Sequence, residues 1–570
     1  MPKKAAAVEK ASPAKGASAP NKVPTGRRAA TAKKVSASTV KKTVKTNSLK
    51  GRSSPAAVVT PPSVVTNADG NLVTSAGGDN GGLRQRMLQK GRGVVDVLSG
   101  KVGMCHVYEH CGEVYQCTLN QTHVSANKNK YFILQLLQDD HGSKCHVFTR
   151  WGRVGYRGQS NTEEFFDAAH AMRVFHAKFA SKTGNSWSNR AHFSKVEGRY
   201  ELMDIDYGAA AEEEQKQETM ERNGEPVASV LPTELQDLMK LIGSESQMMY
   251  VMREFEINTE RMPLGKISKV QITRAYQVLR SLEAEMKKGA PQLEQLSNQF
   301  YTLIPHALGV RRPPIIDSDD MLRKKMEMLE TLGKLEIAVS ILSAEVSEEL
   351  HPDDKLYRSL KCELKPLARD DPNFRRIEEY ARNTHGPSHK FRVEVTQVFT
   401  VRREGEEERY SAFKKLGNRQ MLWHGSRITN FIGILAQGLR IAPPEAPCTG
   451  YMFGKGIYLA DVCTKSASYC YPAEDTNIGL ILLCEAALGK QSKLTAAAYM
   501  EKPMRGTNAT KGVGTFFPDP DGAEVVDGVL WPKGRLKEER TSSSLIYPEH
   551  IIYDVEQCKI SYLVQVKIYR

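Results

Sequence analysis

The chain changes composition sharply near residue 95, and this change limits what its first part can fold into. All of its Phe, Tyr and Trp residues come after that point, whereas residues 1–95 are rich in Ala, Lys, Pro, Ser, Thr and Val. A segment without large apolar side chains buries too little surface to offset its conformational entropy. The sequence therefore predicts a disordered N-terminal tail followed by folded domains.

The tail also carries nearly all of the net charge. Residues 1–52 contain eleven Lys and three Arg against a single acid, Glu9, which accounts for +13 of the formal charge of +14. A basic segment on a nearly neutral body suits a polyanion, and nucleic acid is the first candidate. A solubilising tail and a nuclear import signal, for which Lys33-Lys34 and Lys41-Lys42 are weak examples, are the alternatives, and the sequence does not separate them.

Several classes of protein are disfavoured by what the sequence lacks. No apolar run reaches the roughly 20 residues that span a bilayer, and no signal peptide follows Met1. Gly454-Lys-Gly456 and Gly512-Val-Gly514 are only fragments of nucleotide-binding loops, so neither a P-loop nor a Rossmann fingerprint is expected. The ten cysteines are scattered without a C-x-x-C pair. That pattern predicts no zinc finger, no bound metal and a reducing compartment.

The rest of the chain predicts three folded regions. Residues 131–137 and 146–149 are rich in aromatic and branched side chains, which indicates strands, and a helical repeat follows between Phe165 and Phe179. Helical spacing then continues to about residue 346, and β-rich sequence follows. We therefore expect a multidomain α+β protein with a disordered basic tail (1–95), a small α+β domain (96–208), an acidic linker (209–229), an all-α bundle (230–348) and a β-rich domain (349–570).

Within the bundle, two signals predict a helix that begins after Ser268 and stops at Gly289. Ser268 and Gln271 have the spacing of a capping box, and Pro291 follows the glycine. Apolar stripes at helical spacing predict the core of the bundle, and the longest comprises Leu322, Met326, Leu329, Leu332, Val339 and Leu342.

Two unusual stretches of the β-rich domain point to a ligand pocket. Leu422-Trp-His-Gly-Ser-Arg427 offers an imidazole, a backbone without a side chain and a hydroxyl, and its glycine lets a ligand approach the main chain. The second stretch, residues 450–469, supplies Tyr451, Tyr458 and Tyr469, which are suited to stacking on a flat ring. Taken singly, each of these residues is better explained by packing; their combination favours a site.

A carboxylate interrupts a third, strand-like stretch. Glu549 lies within the apolar run Leu545-Ile-Tyr-Pro-Glu-His-Ile-Ile-Tyr553. A charged group in such a run must find partners or face a cavity. The simpler alternative is a strand-edge glutamate that points to solvent.

These three elements together resemble the ADP-ribosyltransferase domain of the poly(ADP-ribose) polymerases. Pro263-Leu-Gly-Lys-Ile-Ser268 and Phe300-Tyr-Thr-Leu-Ile-Pro-His306 resemble that family's helical regulatory domain, and Trp151-Gly-Arg-Val-Gly155 resembles its WGR domain. The resemblance runs in the expected order from about residue 100 to the C-terminus. It is to the DNA-dependent members without zinc fingers.

The resemblance implies a nuclear, DNA-break-activated enzyme that uses NAD⁺, without a metal, to build poly(ADP-ribose). The implied acceptors are the enzyme itself, histones and other chromatin or repair proteins. The implied catalytic residues are His424, Tyr458 and Glu549. The residues implied to hold NAD⁺ are His424, Gly425, Ser426, Gly433, Arg440, Tyr451, Tyr458, Lys465, Ser466 and Tyr469. Those implied to contact DNA breaks with a 5′ phosphate are Asn129, Lys130, Trp151, Arg153 and Tyr200.

The sequence departs from the pattern common in the family beside the implied glutamate. Pro548 precedes Glu549 and His550 follows it, where Asn and an aromatic are common, and Leu459 replaces a common Phe. Two other functions therefore stay open: a DNA-end-binding scaffold with an inactive transferase, and an enzyme that adds single ADP-ribose units. Turnover of NAD⁺ separates the scaffold from the enzymes, and product length separates the two enzymes.

Overall fold

The computed structural model describes residues 93–205, 227–257, 267–289, 292–342, 350–472, 476–540 and 542–569. The predicted disordered tail and acidic linker lie almost entirely outside these ranges, as does most of the stretch from Pro263 to Ser268. Among the helices described, none is both long enough and apolar enough to cross a bilayer.

The first folded region is an antiparallel sheet with a helix packed against it. Its elements are β1 (Cys105–Val107), β2 (Glu109–His110), β3 (Glu113–Val114), β4 (Gln116–His123), β5 (Lys128–Asp139), β6 (Cys145–Arg153), β7 (Gln159–Phe165), α1 (Ala168–Thr183) and β8 (Glu201–Leu202). The strand order is β7-β6-β5-β4-β8, and β1 pairs with the end of β5 that β4 leaves free. β2 and β3 form a separate hairpin.

Both faces of this sheet are covered. Leu134 and Val147 pack on one face against Phe175 of α1, whereas Leu137 and Phe148 belong to a smaller cluster on the other face. Consecutive side chains of a strand point to opposite faces, so a strand covered on both sides is a nearly continuous apolar run. This explains why residues 131–137 show no polar alternation.

The second region is helical, as predicted. Its helices are α2 (Thr233–Ile242), α3 (Glu245–Glu254), α4 (Lys269–Lys288), α5 (Leu293–Leu303), α6 (Asp319–Leu342) and α7 (Pro352–Ser359). Gly289 ends α4 with a φ of 65°, a left-handed conformation that glycine adopts without strain. Most of the long stripe in α6 is buried, but Leu342 is 38% exposed, so the prediction that it belongs to the core was wrong.

The capping box of α4 is only half formed. The Ser268 hydroxyl accepts a hydrogen bond from the Gln271 amide N–H over 3.1 Å. The Gln271 side chain does not return to Ser268; it accepts from the Asp204 amide N–H over 3.0 Å and donates to the carbonyl of Leu303. Gln271 thus ties the helix to neighbouring segments, which a local capping rule does not capture.

The third region contains a seven-stranded sheet, a four-stranded sheet and the two-stranded pair of β16 with β19. Its elements are β9 (Cys362–Pro366), α8 (Pro372–Asn383), β10 (Arg392–Arg403), α9 (Glu406–Ser411), β11 (Arg419–Ser426), α10 (Phe431–Gln437), β12 (Ile457–Leu459), α11 (Cys463–Ala467), β13 (Ile478–Ala487), β14 (Gln491–Leu494), β15 (Ala509–Gly512), β16 (Phe516–Pro518), β17 (Glu524–Val526), β18 (Val529–Trp531), β19 (Leu536–Glu538), β20 (Glu549–Ile552) and β21 (Cys558–Tyr569). The larger sheet has the order β17-β18-β11-β13-β21-β10-β9, and the smaller one has the order β12-β20-β15-β14.

The predicted strands at both ends of this region are present. Leu480–Leu483 lies in β13 and is fully buried. In β21 the side chains of Val564 and Val566 enter one core, whereas Leu563 enters the core that includes the helical region. The predicted class, a multidomain α+β protein with a helical bundle between two β-containing domains, is confirmed for the described residues.

Candidate functional site

His424, Gly425 and Ser426 lie at the C-terminal end of β11, where the strand leaves the larger sheet. The neighbouring Trp423 and Ala460 exchange backbone hydrogen bonds of 2.7 and 2.9 Å, which joins β11 to the segment after β12. The Nδ1 atom of His424 lies 2.9 Å from the Tyr458 carbonyl oxygen. Burial of the imidazole, followed by the nearby Lys334 charge, lowers the pKa of His424. The ring is therefore neutral at physiological pH, with Nδ1–H as the donor.

Gly425 is required by packing inside the protein. A Cβ at this position would lie 1.8 Å from the carbonyl oxygen of Ser466, so no larger residue fits between β11 and α11. The glycine thus allows the close approach of α11 to β11, and the ligand contact at its main chain stays a prediction. The side chains of Ser426 and Ser466 are both buried, and Ser426 Oγ accepts from Asn430 Nδ2 over 2.9 Å.

The three tyrosines of the second stretch differ in exposure. Tyr458 is half-buried; its hydroxyl donates to the Gly454 carbonyl over 2.8 Å and accepts from the Phe453 amide over 3.0 Å. The rings of Tyr451 and Tyr458 have centroids 6.5 Å apart and are tilted by 42°. Tyr469 is 53% exposed. Burial, followed by the charge of Glu549, raises the pKa of Tyr469.

Glu549 opens β20 and does not point freely to solvent. Its Oε1 atom lies 2.8 Å from Nζ of Lys465, and each side chain is only 14% exposed. The Lys465 ammonium also donates to the carbonyls of Tyr547 and Pro548 over 3.1 and 3.2 Å. Burial lowers the pKa of Lys465, although the Glu549 charge opposes that effect. A lysine of α11 thus holds the start of β20 at three points.

A second charged group lies behind β20 and was not predicted. The buried His550 places Nε2 3.3 Å from Oδ2 of Asp461 and Nδ1 3.1 Å from Nε2 of Gln491. His550 faces Leu459 directly across β12 and β20, so two of the three departures noted in the sequence are register partners. Burial raises the pKa of Asp461, but hydrogen bonding and the charges of His550 and Lys511 outweigh it, so this pKa is lowered.

Helix α6 of the bundle packs over one side of the pocket. It contacts α10 and the turn before it. A Cβ at Gly433 in α10 would lie 3.6 Å from Cγ2 of Ile337 and 3.7 Å from the Lys334 carbonyl oxygen. Gly433 therefore faces α6, whereas Arg440 is exposed on the segment that follows α10. Helix α6 therefore packs against the segment that directly follows the His424–Ser426 stretch.

Arg427, immediately after the His-Gly-Ser stretch, joins this pocket to two helices of the bundle. Its guanidinium donates to Glu254 of α3 over 2.7 and 3.0 Å and to Glu327 of α6 over 3.0 and 3.3 Å. Tyr471 stacks on the guanidinium at 4.1 Å. Arg427 is only 5% exposed, so solvent screens these ion pairs weakly. The sequence contained the arginine but gave no sign of its partners, which lie 173 and 100 residues away.

In the first region, three of the five predicted DNA-contact residues surround an open groove. The groove has a volume of about 570 Å³, and its lining is Phe132, Thr149, Trp151, Asn161, Val174, Ala177, Lys178, Ser181, Lys182 and Tyr200. Lys130 Nζ lies 5.0 Å from the centre of the Tyr200 ring, and Lys182 Nζ lies 4.8 Å from that of Phe132. Aromatic faces flanked by lysines suit a phosphate-bearing ligand with flat bases.

The other two predicted DNA-contact residues are bonded to the helical region. Asn129 is buried and donates to the His306 carbonyl over 2.8 Å. Arg153 donates to the carbonyls of Gly309 and Arg311 over 2.5 and 2.8 Å. In this conformation, these two side chains connect domains. Contact with DNA would require Arg153 to exchange these carbonyls for phosphate oxygens.

Comparison with protein families gives three matches along the chain. Residues 115–194 match the WGR domain, residues 229–357 match the poly(ADP-ribose) polymerase regulatory domain, and residues 371–568 match the poly(ADP-ribose) polymerase catalytic domain. These matches follow the order of the three folded regions.

Individual relatives cover most of this chain. "Poly [ADP-ribose] polymerase 2" of Homo sapiens is 39% identical over 84% of this chain and 84% of its own length, and the protein of that name from Zea mays is 41% identical over 81% and 71%. "Poly [ADP-ribose] polymerase 1" of Xenopus laevis is 40% identical over 88% of this chain. The chain spans only about half the length of that relative, 51%.

Proposed function

Because this chain belongs to the poly(ADP-ribose) polymerase family, we propose that it transfers ADP-ribose from NAD⁺ to proteins and extends it into poly(ADP-ribose) when DNA breaks are present. The observation that carries this proposal is the arrangement around β12 and β20: Glu549 is the diagonal neighbour of Tyr458 across this strand pair, and His424 Nδ1 bonds to the Tyr458 carbonyl. The proposed NAD⁺ cleft would then combine a neutral imidazole, aromatic rings and a carboxylate held by Lys465.

The chemistry of the transfer accounts for a carboxylate in this position. Cleavage of the bond between nicotinamide and ribose builds positive charge on the ribose, as in glycoside hydrolysis. A fixed carboxylate stabilises that charge, and it can also accept the proton of the attacking hydroxyl during chain growth. We assign this role to Glu549. We assign His424 to a ribose hydroxyl and Tyr458 with Tyr469 to the nicotinamide ring.

The remaining predicted NAD⁺ residues follow the same scheme. Gly425 and Ser466 would bind the carboxamide of nicotinamide, and Ser426 and Lys465 would support them. Tyr451 would lie over the donor, with Gly433 and Arg440 along the adenosine part. The packing of α6 against Gly433 supports a closed basal state, because the adenosine part could bind only after α6 moves.

Contacts that cross all three regions support activation by DNA. Asn129 bonds to His306, whose Nε2 lies 2.7 Å from Nζ of Lys325 in α6. Two residues further along the same helix, Glu327 holds Arg427 beside the pocket. A DNA end would bind Lys130, Trp151, Arg153 and Tyr200. It would thereby compete with the contacts that connect the first region through the helical region to Arg427. Coupling of this kind links the two sites in both directions.

We place the protein in the nucleus and infer that it modifies itself and chromatin proteins, with the basic tail adding affinity for DNA.

The test is NAD⁺ consumption and product size on a gel, with and without a nicked duplex carrying a 5′ phosphate. DNA-stimulated, ladder-like product is expected. Activity indifferent to DNA would remove the break-sensing part, single-unit product would favour a mono-transferase, and tight DNA binding without turnover would favour a scaffold.

A further inference from the structure

A cysteine, an aspartate and a histidine meet on the first sheet, far from the cleft in sequence. Cys105 in β1 lies opposite Asp139 in β5, and His146 in β6 lies opposite Leu137, two residues before Asp139. The three side chains therefore share one face of three adjacent strands. This is the face of the Leu137 and Phe148 cluster, opposite to the groove that contains Trp151.

The potential ligand atoms already converge. Sγ of Cys105 lies 3.1 Å, and Nε2 of His146 lies 2.8 Å, from the same oxygen, Oδ1 of Asp139. All three atoms lie within 4.8 Å of one another. A tetrahedral zinc ion with bonds of about 2.0–2.3 Å holds its ligand atoms roughly 3.3–3.7 Å apart. Movements of up to about one ångström would bring the three atoms to these separations.

Burial distinguishes this cluster from exposed groups that meet by chance. Cys105 and His146 are 2% and 1% exposed, whereas the Asp139 side chain is 29% exposed. The exposed edge at Asp139 leaves a path for an ion and a position for water.

We propose that Cys105, Asp139 and His146 bind one zinc ion, with a water molecule as the fourth ligand. Thiolate, imidazole and carboxylate together suit zinc, whereas magnesium and calcium prefer oxygen ligands alone. The sequence predicted no metal because it contains no paired cysteines. These ligands are instead 34 and 7 residues apart and are united only by strand pairing.

The protons and the charges of zinc binding can be accounted for as follows. The S–H bond of Cys105 breaks as the sulfur–zinc bond forms, and one proton passes to solvent. Neutral His146 coordinates through Nε2 after the proton that Nε2 donates to Asp139 has moved to Nδ1. Zinc, thiolate and carboxylate then sum to zero charge. The other charged groups that face the cluster are Lys101, which precedes β1, and Glu164 of β7, whose carboxylate is paired with Lys144 over 2.8 Å. Asp140 points to His106 at 3.0 Å.

The ion would fasten β1 to β5 and β6. β1 is only three residues long and, among the residues that the structure describes, pairs with β5 alone, so it has few backbone hydrogen bonds there. Because the cluster faces away from the groove, zinc would stabilise the sheet without altering the groove or the distant cleft. This inference does not depend on the proposed function.

Calorimetric titration of Zn²⁺ into the full chain, first stripped with a chelator, tests the site. We expect one ion per chain, release of about one proton and a higher thermal midpoint with zinc. Asp139→Asn preserves the volume of a partly exposed side chain, so it should fold and should weaken zinc binding at least about tenfold. Equal zinc affinity in the wild type and this variant would overturn the proposal.

Cobalt supplies a readout specific to the sulfur ligand. The wild type and a control, Cys111→Ser, which changes an exposed cysteine of the same domain, should both show the thiolate-to-cobalt charge-transfer band. Cys105→Ala should lose it while remaining folded in chelator, as thermal unfolding would show. A band that persists in Cys105→Ala, or disappears in Cys111→Ser, would contradict the assignment of Cys105.

Discussion

The ammonium of Lys465 lies 2.8 Å from the carboxylate of Glu549 and bonds at the same time to the carbonyls of the two residues before it. One side chain from α11 therefore fixes both the charge and the backbone at the start of β20. Lys465 therefore sets the position of the Glu549 carboxylate.

Replacing Lys465 by methionine should reduce transfer about tenfold or more. Loss of 1.4 kcal/mol of positioning is enough for that factor. Lys465→Arg should recover part of the rate, because it keeps the charge but not the geometry of a single ammonium. Initial rates of nicotinamide release measure the effect, with Lys493→Met, an exposed lysine of β14, as the control. Equal rates for Lys465→Met and the control would mean that the ion pair has no catalytic consequence.

Glu549→Gln should leave NAD⁺ binding largely intact and abolish chain growth, with a loss of at least about 100-fold in elongation rate. The amide keeps the shape of the side chain but neither stabilises positive charge nor accepts a proton. Binding by calorimetry and product length on a gel separate the two effects, and Glu538→Gln on the exposed strand β19 is the matched control. Long polymer from Glu549→Gln would show that another group acts on the acceptor.

Glu327→Gln should raise the activity measured without DNA about 5-fold or more, because it removes one of the two carboxylates that hold Arg427 to the bundle. Couplings between distant sites commonly amount to 1–3 kcal/mol, which corresponds to roughly 5–150-fold. The ratio of rates with and without nicked duplex is the measurement. Glu245→Gln, on the exposed surface of α3, should leave that ratio unchanged. An unchanged ratio in Glu327→Gln would show that Arg427 does not hold the basal state.

Lys182→Gln should weaken DNA binding for all sequences alike and should reduce the slope of log affinity against log salt by about 0.9, the value expected for one lost phosphate contact. Lys182 lies over the Phe132 ring at the wall of the groove. Fluorescence anisotropy at several salt concentrations gives the slope. Lys493→Gln serves as the control, and an unchanged slope in Lys182→Gln would place the phosphate elsewhere.

Lys325 should make stability depend on pH in the alkaline range. Burial lowers the pKa of Lys325 from 10.5 to about 8. Between these pH values the unfolded chain binds more protons than the folded one, so stability increases with pH across the window, by at most about 3 kcal/mol. Lys325→Met should lose this increase. Thermal midpoints of both proteins from pH 7.5 to 10.5 provide the test, and parallel curves would mean that Lys325 keeps its ordinary pKa.

The sequence predicted the features of single strands and helices better than the contacts between them. The His424–Ser426 stretch ends a strand, and Glu549 does find a charged partner, as local patterns indicated. The pairing of His550 with Asp461 could not be predicted. The two residues are 89 positions apart, and the pairing of β12 with β20 brings them together.

Contacts between domains were the other limit. Asn129 and Arg153 were chosen for the chemistry of their side chains, and nothing near them in sequence indicates that residues 306–311 would bond to them. The zinc ligands illustrate the same point within one domain, since Cys105 and His146 meet only through β5. Local periodicity determines which face a side chain occupies but not which distant group shares that face.

Gly425 is a residue whose presence alone does not indicate activity. Any larger residue would collide with the Ser466 carbonyl, so selection for folding alone would keep this glycine in a descendant that no longer turned over NAD⁺. A survey that counts it as evidence of a working enzyme would therefore misclassify such pseudoenzymes. His424 and Glu549, which no comparable steric requirement retains, are the positions at which loss of activity would become visible.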